Sequence, residues 1–241
     1  MKAVILAAGF SSRMGKLTRD FPKCLLEIGG KTILDYQIEL LTSVGKLRFK
    51  DVYVVGGYKI ETLRYLKDLG AQVVYNCKFR EFNNIYSFYL ANNFVDEDFI
   101  LLNGDTVVHP KILKCLIDSE HRTAFVVDNI KKLSGEEMKV LVKNNRIVKF
   151  GKEIDPNIAH GEYIGLAKFS LEDAEIIFSC IEEVLKEGKT YTWYENAINY
   201  VLDKINAFAV HTNGLSWIEI DTPEDYEKAK ELRNELCSYD S

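Results

Sequence analysis

The sequence predicts an α/β fold: a mainly parallel, mixed sheet with helices packed on both faces. Strand and helix signals alternate through four successive steps in the first half, the pattern of a helix-covered parallel sheet. Past about residue 120 strand signals crowd together, so the second half is mixed. The chain has 241 residues, 47% hydrophobic and 28% charged, enough to bury one core without staples.

Lys2 to Ala7 is an apolar, strand-like run. Thr32 to Val44 repeats apolar residues at Ile33, Tyr36, Leu40 and Leu41, which suits one helix face, and Gly45 can end it. Asp51 to Val55 is the second strand, closed by Gly56-Gly57. Ile60 to Leu69 reads as a helix with Leu63, Leu66 and Leu69 on one side. Ala71 to Tyr75 is a strand, Ile85 to Asn93 a helix, and Phe99 to Leu102 a strand ending at Asn103-Gly104-Asp105. Pro110 opens a helix over Lys111 to Asp118. Ligands of such sheets bind beyond the carboxyl ends of the strands, so the loops after Ala7, Val55 and Leu102 matter most.

Thr123 to Val127, Met138 to Val142 and Arg146 to Phe150 read as strands, the last two joined by a turn at Asn144-Asn145. Tyr163 to Phe169 is another strand, and Ser170 with Asp173 starts a helix in an approximate capping box. A helix follows over about Trp193 to Leu202, then strands at Phe208 to Val210 and Trp217 to Ile220. Thr222 caps the last helix, with Pro223 in its first turn. With no linker or internal repeat, one domain over residues 1–236 is expected, with 237–241 as a frayed tail.

A net charge of -5 disfavours nucleic acid as the main partner and leaves room for a local basic pocket. No run approaches the roughly 18 apolar residues of a membrane span, and no signal-peptide pattern follows Met1-Lys2. The five cysteines are widely spaced without a CxxC, as expected of reduced thiols in a cytoplasmic protein.

The first loop carries the chemistry. Ala8-Gly9-Phe10-Ser11-Ser12-Arg13-Met14-Gly15-Lys16 combines small residues, which let backbone N–H groups approach phosphate, with the cations Arg13, Lys16 and Lys23. Composition fits either a triphosphate cradle or a solvated basic turn. It is not a Walker A loop, since Gly15-Lys16 precedes Leu17, and GxGxxG is absent.

The longer string from Leu6 to Leu34, LAAGFSSRMGKLTRDFPKCLLEIGGKTIL, resembles the signature LAAGxGSRLxPLTxxxPKxLLxIxGKPLL of nucleotidyltransferases that make nucleotide-activated sugars and alcohols. Asn103-Gly104-Asp105 is similar to their metal-binding aspartate motif, and Glu219 to Tyr226 to their closing motif. The resemblance implies a Rossmann-like three-layer sandwich of the nucleotide-diphospho-sugar transferase type. It places Leu6, Ala7, Ala8, Gly9, Ser11, Ser12, Gly15 and Gly104 around the nucleotide and Arg13 on the β- and γ-phosphates. Lys23 would contact the acceptor's phosphate or the reacting α-phosphate, and Asp105 and Asp221 would share Mg²⁺. Ser11 stands where the pattern has Gly, and Lys16 where it has Pro. Enzymes of this kind often pair into homodimers.

Asn83 to Ala91, NNIYSFYLA, is similar to a segment of bacterial-type phosphocholine cytidylyltransferases, with related versions in inositol-1-phosphate and phosphonate cytidylyltransferases. This resemblance puts Asn84 and Ser87 near the base and acceptor; a buried helix face explains the same spacing. Acceptor contacts are expected from Glu137, Lys139, Glu162, Trp193 and Glu195, with Asp128, Glu137 and Lys139 as the alternative set for a hydroxyl or amine. Trp193 and Tyr194 beside Glu195 hint at a quaternary ammonium held by cation–π attraction, roughly 0.5–2 kcal/mol per face.

The implied reaction is attack by a phosphate oxygen on the α-phosphorus of a nucleoside triphosphate, with pyrophosphate leaving. It needs alignment and charge neutralisation rather than a general base. The four histidines, His109, His121, His160 and His211, show no metal or triad spacing. The expected function is a Mg²⁺-dependent cytidylyltransferase using CTP and a small phospho-alcohol such as phosphocholine, or a phosphonate. The alternatives are a sugar-1-phosphate nucleotidylyltransferase using UTP, dTTP or GTP, and a non-catalytic nucleotide-binding regulatory subunit. A nicotinamide-dependent oxidoreductase fits the strand–helix pattern but not the first loop.

Overall fold

The computed structural model describes residues 1–236. The tail expected at 237–241 lies outside them. The strands, in chain order, are β1 (Lys2–Ala7), β2 (Glu27–Ile28), β3 (Lys31–Thr32), β4 (Val52–Gly56), β5 (Gln72–Tyr75), β6 (Phe99–Asn103), β7 (Thr106–Val108), β8 (Ala124–Asp128), β9 (Lys139–Lys143), β10 (Arg146–Gly151), β11 (Gly161–Phe169), β12 (Phe208–His211) and β13 (Trp217–Glu219). The helices are α1 (Ile33–Ser43), α2 (Tyr65–Asp68), α3 (Asn84–Tyr89), α4 (Pro110–Asp118), α5 (Leu171–Lys186), α6 (Tyr194–Asn199), α7 (Pro223–Glu231) and α8 (Arg233–Leu236). Among the described residues, no helix is long and apolar enough to cross a membrane.

A nine-stranded sheet, ordered β5-β4-β1-β6-β11-β8-β12-β10-β9, carries the fold. β10 and β11 run against the other strands, so the sheet is mixed but mostly parallel in direction. Two large apolar clusters cover its faces. One gathers Phe88, Phe99, Phe125, Phe169 and Phe178 with Tyr194; the other gathers Ile5, Leu34, Ile38, Val54 and Leu102. β1 and β6 are buried along almost their whole lengths, which is why both read as unbroken apolar runs.

Three expected helices are shorter than their patterns. Ile60 to Leu69 splits into a 3₁₀ turn, Ile60–Leu63, and α2. Leu63, Leu66 and Leu69 recur every third residue, the repeat of a 3₁₀ helix rather than of an α-helix. Leu63 and Leu66 are buried while Leu69 faces solvent. Ile85 to Asn93 becomes α3 followed by a 3₁₀ turn, Leu90–Asn93. Trp193 to Leu202 holds only the short α6, with Trp193 at its N-cap.

The expected turns are present. Asn144 and Asn145 have φ of 51° and 61°, the left-handed pair that a type I′ hairpin demands. Two small pairings were not expected. β2 and β3 form a hairpin through Gly29-Gly30, and β7 pairs antiparallel with β13, Thr106 opposite Glu219. The second pairing brings the end of β6 to the loop that opens α7.

Thr222 and Asp225 make a full capping box on α7. The Thr222 Oγ1 accepts from the Asp225 N–H at 3.2 Å, and the Asp225 carboxylate accepts from the Thr222 N–H at 3.0 Å. Replacing Thr222 with Ala is expected to cost about 1 kcal/mol of stability, read as a lowered urea midpoint at unchanged slope.

Candidate active site

β1 and β6 are neighbours in the sheet, so their carboxyl ends open side by side, and the start of the antiparallel β11 meets them there. A cleft of about 480 Å³ lies over these three strand ends. Its floor depends on close backbone approach. A Cβ on Gly104 would lie 2.7 Å from the Leu6 carbonyl oxygen, and one on Gly165, whose φ is 78°, would meet the Asn103 side chain. Glycine is required at both places.

Leu6, Ala7, Ala8, Gly9, Ser11 and Ser12, the first-loop residues expected around the nucleotide, line the cleft. Ser11 has φ of 54°, a conformation that suits glycine and costs a serine roughly 1–2 kcal/mol. The glycine of the family signature has its reason at this position. The loop after β4 does not line the cleft. It props the first loop instead, through the Tyr58 N–H donating to the Ala8 carbonyl at 3.1 Å. The loop after β5 supplies a wall in its place, with Asn76, Phe79 and Arg80.

Four charged groups from distant parts of the chain meet at the cleft. The Lys23 ammonium lies 2.8 Å from Asp105 and 2.7 Å from Asp221. Arg13 lies 2.8 Å from the other oxygen of Asp221. Asp105 leaves the end of β6, and Asp221 follows β13, which β7 holds in place. Glu219 joins them: carboxylate oxygens of Asp105, Glu219 and Asp221 all lie within 4.8 Å of one another. Sequence reasoning missed Glu219. Its signal was available, since positions 219 and 221 are two apart on an extended segment and so share a face.

The charges set each other's protonation. Burial alone would lower the Lys23 pKa, but the negative charges of Asp105 and Asp221 raise it overall, so the ammonium stays charged. Burial opposes ionisation of Asp221 and is outweighed by Lys23 and Arg13, which lower its pKa. Glu219 is pushed up, by burial first and then by the charges of Asp105 and Asp221.

At the far end, Asn84, Ser87, Glu162, Trp193 and Glu195 line the cleft with Glu136, Met138 and Lys152. An aromatic cluster holds α3 and α6 in place: the Phe88 ring lies 5.0 Å from that of Tyr194 and 5.4 Å from that of Phe169. Asn84 Oδ1 accepts from the Tyr194 N–H at 3.1 Å, and Ser87 Oγ accepts from buried Asn76 at 2.9 Å.

Several expected residues are elsewhere. Gly15 makes a kink within the first loop, with φ of 57° and ψ of -120°, and does not line the cleft; neither does exposed Lys16. The Glu137 carboxylate folds back onto the Ser134 N–H and hydroxyl. Lys139 is fully buried, its ammonium donating to the Ser134 and Glu137 carbonyls. Glu136 and Met138 face the cleft instead: the chain bends over residues 135–137, where the Lys139 N–H donates to the Glu137 carbonyl at 3.0 Å, and the Glu137 side chain turns back onto Ser134. Asp128 accepts from the Trp217 indole N–H at 2.7 Å and from two backbone N–H groups, outside the cleft. The Tyr194 ring is buried in the aromatic cluster, so Trp193 and Tyr194 do not offer two faces to one ligand.

Residues 3–147 match the family model of the MobA-like NTP transferase domain. The chain belongs to this family. A CTP:phosphoglutamine cytidylyltransferase of Campylobacter jejuni is 31% identical, with 94% of this chain and 98% of the relative covered. A choline-phosphate cytidylyltransferase of Streptococcus pneumoniae is 27% identical over 98% of this chain and all of the relative. The inositol-1-phosphate CTP transferase structure from T. maritima superposes with a TM-score of 0.79 at 27% identity, over 100% of this chain and 97% of the other. The protein is a nucleotidyltransferase with a Rossmann-like fold.

Nucleotidyltransferases of this family generally work with a divalent metal. The carboxylates fit one. They are hard oxygen donors grouped within 4.8 Å, and Asp105 Oδ1 is buried with no hydrogen-bond partner among the described residues.

Glu195 titrates out of its ordinary range in this nucleotidyltransferase. Burial raises its pKa to about 7, and hydrogen bonding from its backbone, Tyr194 and Asn84 and the Lys152 charge offset this only in part. The folded state therefore holds a proton that the unfolded chain releases near 4.5. The resulting stability is complete below about pH 4.5 and is lost as pH rises to about 7, a change on the order of 3 kcal/mol. Glu195→Gln is expected to remove that part of the decline, so its melting temperature gains on the parent between pH 5 and 8. An equal slope in both proteins would contradict the assignment.

Proposed function

We propose that residues 1–236 form one catalytic domain. It transfers CMP from CTP to a small phosphorylated or phosphonate acceptor with Mg²⁺ and releases pyrophosphate. The observation that carries this reading is the meeting of Asp105, Glu219 and Asp221 with Lys23 and Arg13 in the cleft that the glycine-rich first loop opens. The two curated relatives named above act with CTP on phosphoglutamine and on choline phosphate. Their agreement on CTP supports the nucleotide; their disagreement leaves the acceptor's head open.

An acceptor oxygen forms the new bond to the α-phosphorus of CTP as the bond to pyrophosphate breaks. Nucleophile and electrophile are both anions, so cations and alignment supply the rate. Backbone N–H groups of the Ala8 to Ser12 loop cradle the phosphates, and Arg13 and Lys23 neutralise them. Both cations are already oriented by Asp221 before substrate arrives, which lowers the reorganisation that the transition state requires. Asp105, Asp221 and Glu219 would hold Mg²⁺, which offsets phosphate charge when bound. The acceptor phosphate is itself a nucleophile, so no side chain needs to act as base. We place the reaction in the cytoplasm, where free thiols such as Cys24, Cys77, Cys115 and Cys180 persist.

Pyrophosphate release, measured with four nucleoside triphosphates against a panel of phosphate acceptors, tests the reading. CTP should dominate, and chelation of metal should stop release until Mg²⁺ is restored. Asp105→Asn and Asp221→Asn should each lower kcat at least about 100-fold with the fold intact by circular dichroism. Near-parental turnover in both variants would remove these carboxylates from the reaction.

A further inference from the structure

The end of the cleft away from the phosphate loop carries its own charge pattern, and the proposed transfer chemistry does not use it. The sheet order puts β11 and β9 on the opposite side of β6 from β4 and β5, so this end belongs to the acceptor once the nucleotide lies along the β1 loop. Three carboxyl groups face it: Glu136, Glu162 and Glu195. Glu162 is buried and already holds Lys131 at 2.9 Å. Glu195 is 3% exposed, and its Oε2 has no hydrogen-bond partner among the described residues. A buried acceptor without a donor leaves its desolvation uncompensated, so a ligand group that donates there gains affinity by restoring the missing hydrogen bond.

Tyr191 and Trp193 both line this end and Tyr191 is exposed, but the other aromatic groups here leave no further face for a quaternary ammonium. Tyr163 and Tyr194 are buried, with their hydroxyls 3.0 Å apart. Trp193 is half-buried, and its ring face is taken by the Lys152 ammonium, 5.1 Å from the centroid. A trimethylammonium would have to displace that lysine and lie beside its charge. It also has no N–H to give to Glu195. A primary ammonium has three, and Lys152 needs an oxygen acceptor beside it.

We propose that Glu195 and Lys152 select the acceptor's head: Glu195 takes an N–H from a primary ammonium, Lys152 donates to an oxygen next to it, and a quaternary ammonium is disfavoured. The assignment rests on the cytidylyltransferase reading for the position of the acceptor. It makes both groups specificity-determining residues that contact the head and leave the phosphoryl transfer to the other end of the cleft.

The test measures acceptor binding by calorimetry in the presence of Mg²⁺ and a non-hydrolysable CTP analogue. Three ligands are compared: phosphocholine, O-phosphoethanolamine and O-phospho-L-serine. The two primary amines should bind at least about 10-fold more tightly than phosphocholine, with phosphoserine the tighter of the two. Glu195→Gln should weaken the amines about 10-fold and leave phosphocholine and the CTP analogue unchanged. Lys152→Met should weaken phosphoserine and tighten phosphocholine. Phosphocholine binding as tightly as the amines overturns the proposal, as does an equal loss for all ligands in Glu195→Gln. The parental ratio stands even if a variant fails to fold. Pyrophosphate release from CTP is followed in parallel with the same acceptors. Efficient release with phosphocholine alone would keep the cytidylyltransferase reading and reject the head assignment. Release with another nucleotide would reject that reading, while the order of Kd values would still decide the head.

Discussion

Everything at the active end of this fold depends on holding like charges together. Carboxylate oxygens of Asp105, Glu219 and Asp221 lie within 4.8 Å of one another. At such a distance two negative charges repel by about 4 kcal/mol at an effective dielectric near 20. The fold tolerates this because Lys23 lies between two of the carboxylates and Arg13 sits against Asp221. A third adjustment is protonation: burial and its neighbours push Glu219 towards its neutral form. The same cations are the groups a triphosphate needs, so the interaction that holds the carboxylates together also suits the cleft to an anionic ligand.

Backbone geometry makes that arrangement possible. Asp105 and Asp221 lie far apart in sequence and are brought together by the short β7–β13 pairing, which the Ile220 N–H extends by donating to the Asp105 carbonyl at 3.0 Å. The capping box of α7 fixes the chain just after Asp221, and the Asp225 carboxylate accepts N–H groups from both Asp221 and Thr222. On the other side, Gly104 lets β6 close onto β1, with its N–H donating to the Leu6 carbonyl at 2.9 Å. The position of the first loop and that of the first carboxylate are thus two consequences of one close strand contact.

What the sequence revealed follows from the kind of interaction involved. β1 and β6 are buried on both faces, so composition alone identifies them. Asn144-Asn145 and Thr222-Pro223 carry their backbone conformation in their residue types, and their turn and cap form as read. The β7–β13 pairing left no such trace, because three residues are too few for a period. Glu137 and Lys139 show the same limit from the other side. Their chemistry suits an acceptor site, but a bend over residues 135–137 turns Glu137 onto Ser134 and leaves Glu136 and Met138 at the cleft. Arg80 and Lys152 were invisible for another reason: long cations are common on surfaces, and only the fold shows which ones overhang a cavity.

The cleft is therefore two electrostatic environments in series. Around Lys23, cations and carboxylates compensate each other closely. At the head end, compensation is incomplete: Lys131 balances Glu162, while a buried oxygen of Glu195 has no donor among the described residues. Chemistry common to a family resides naturally in the first environment, since pyrophosphate leaves in the same way whatever the acceptor. In the head assignment proposed above, discrimination resides in the second, where an unmet hydrogen bond separates heads that satisfy it from heads that do not.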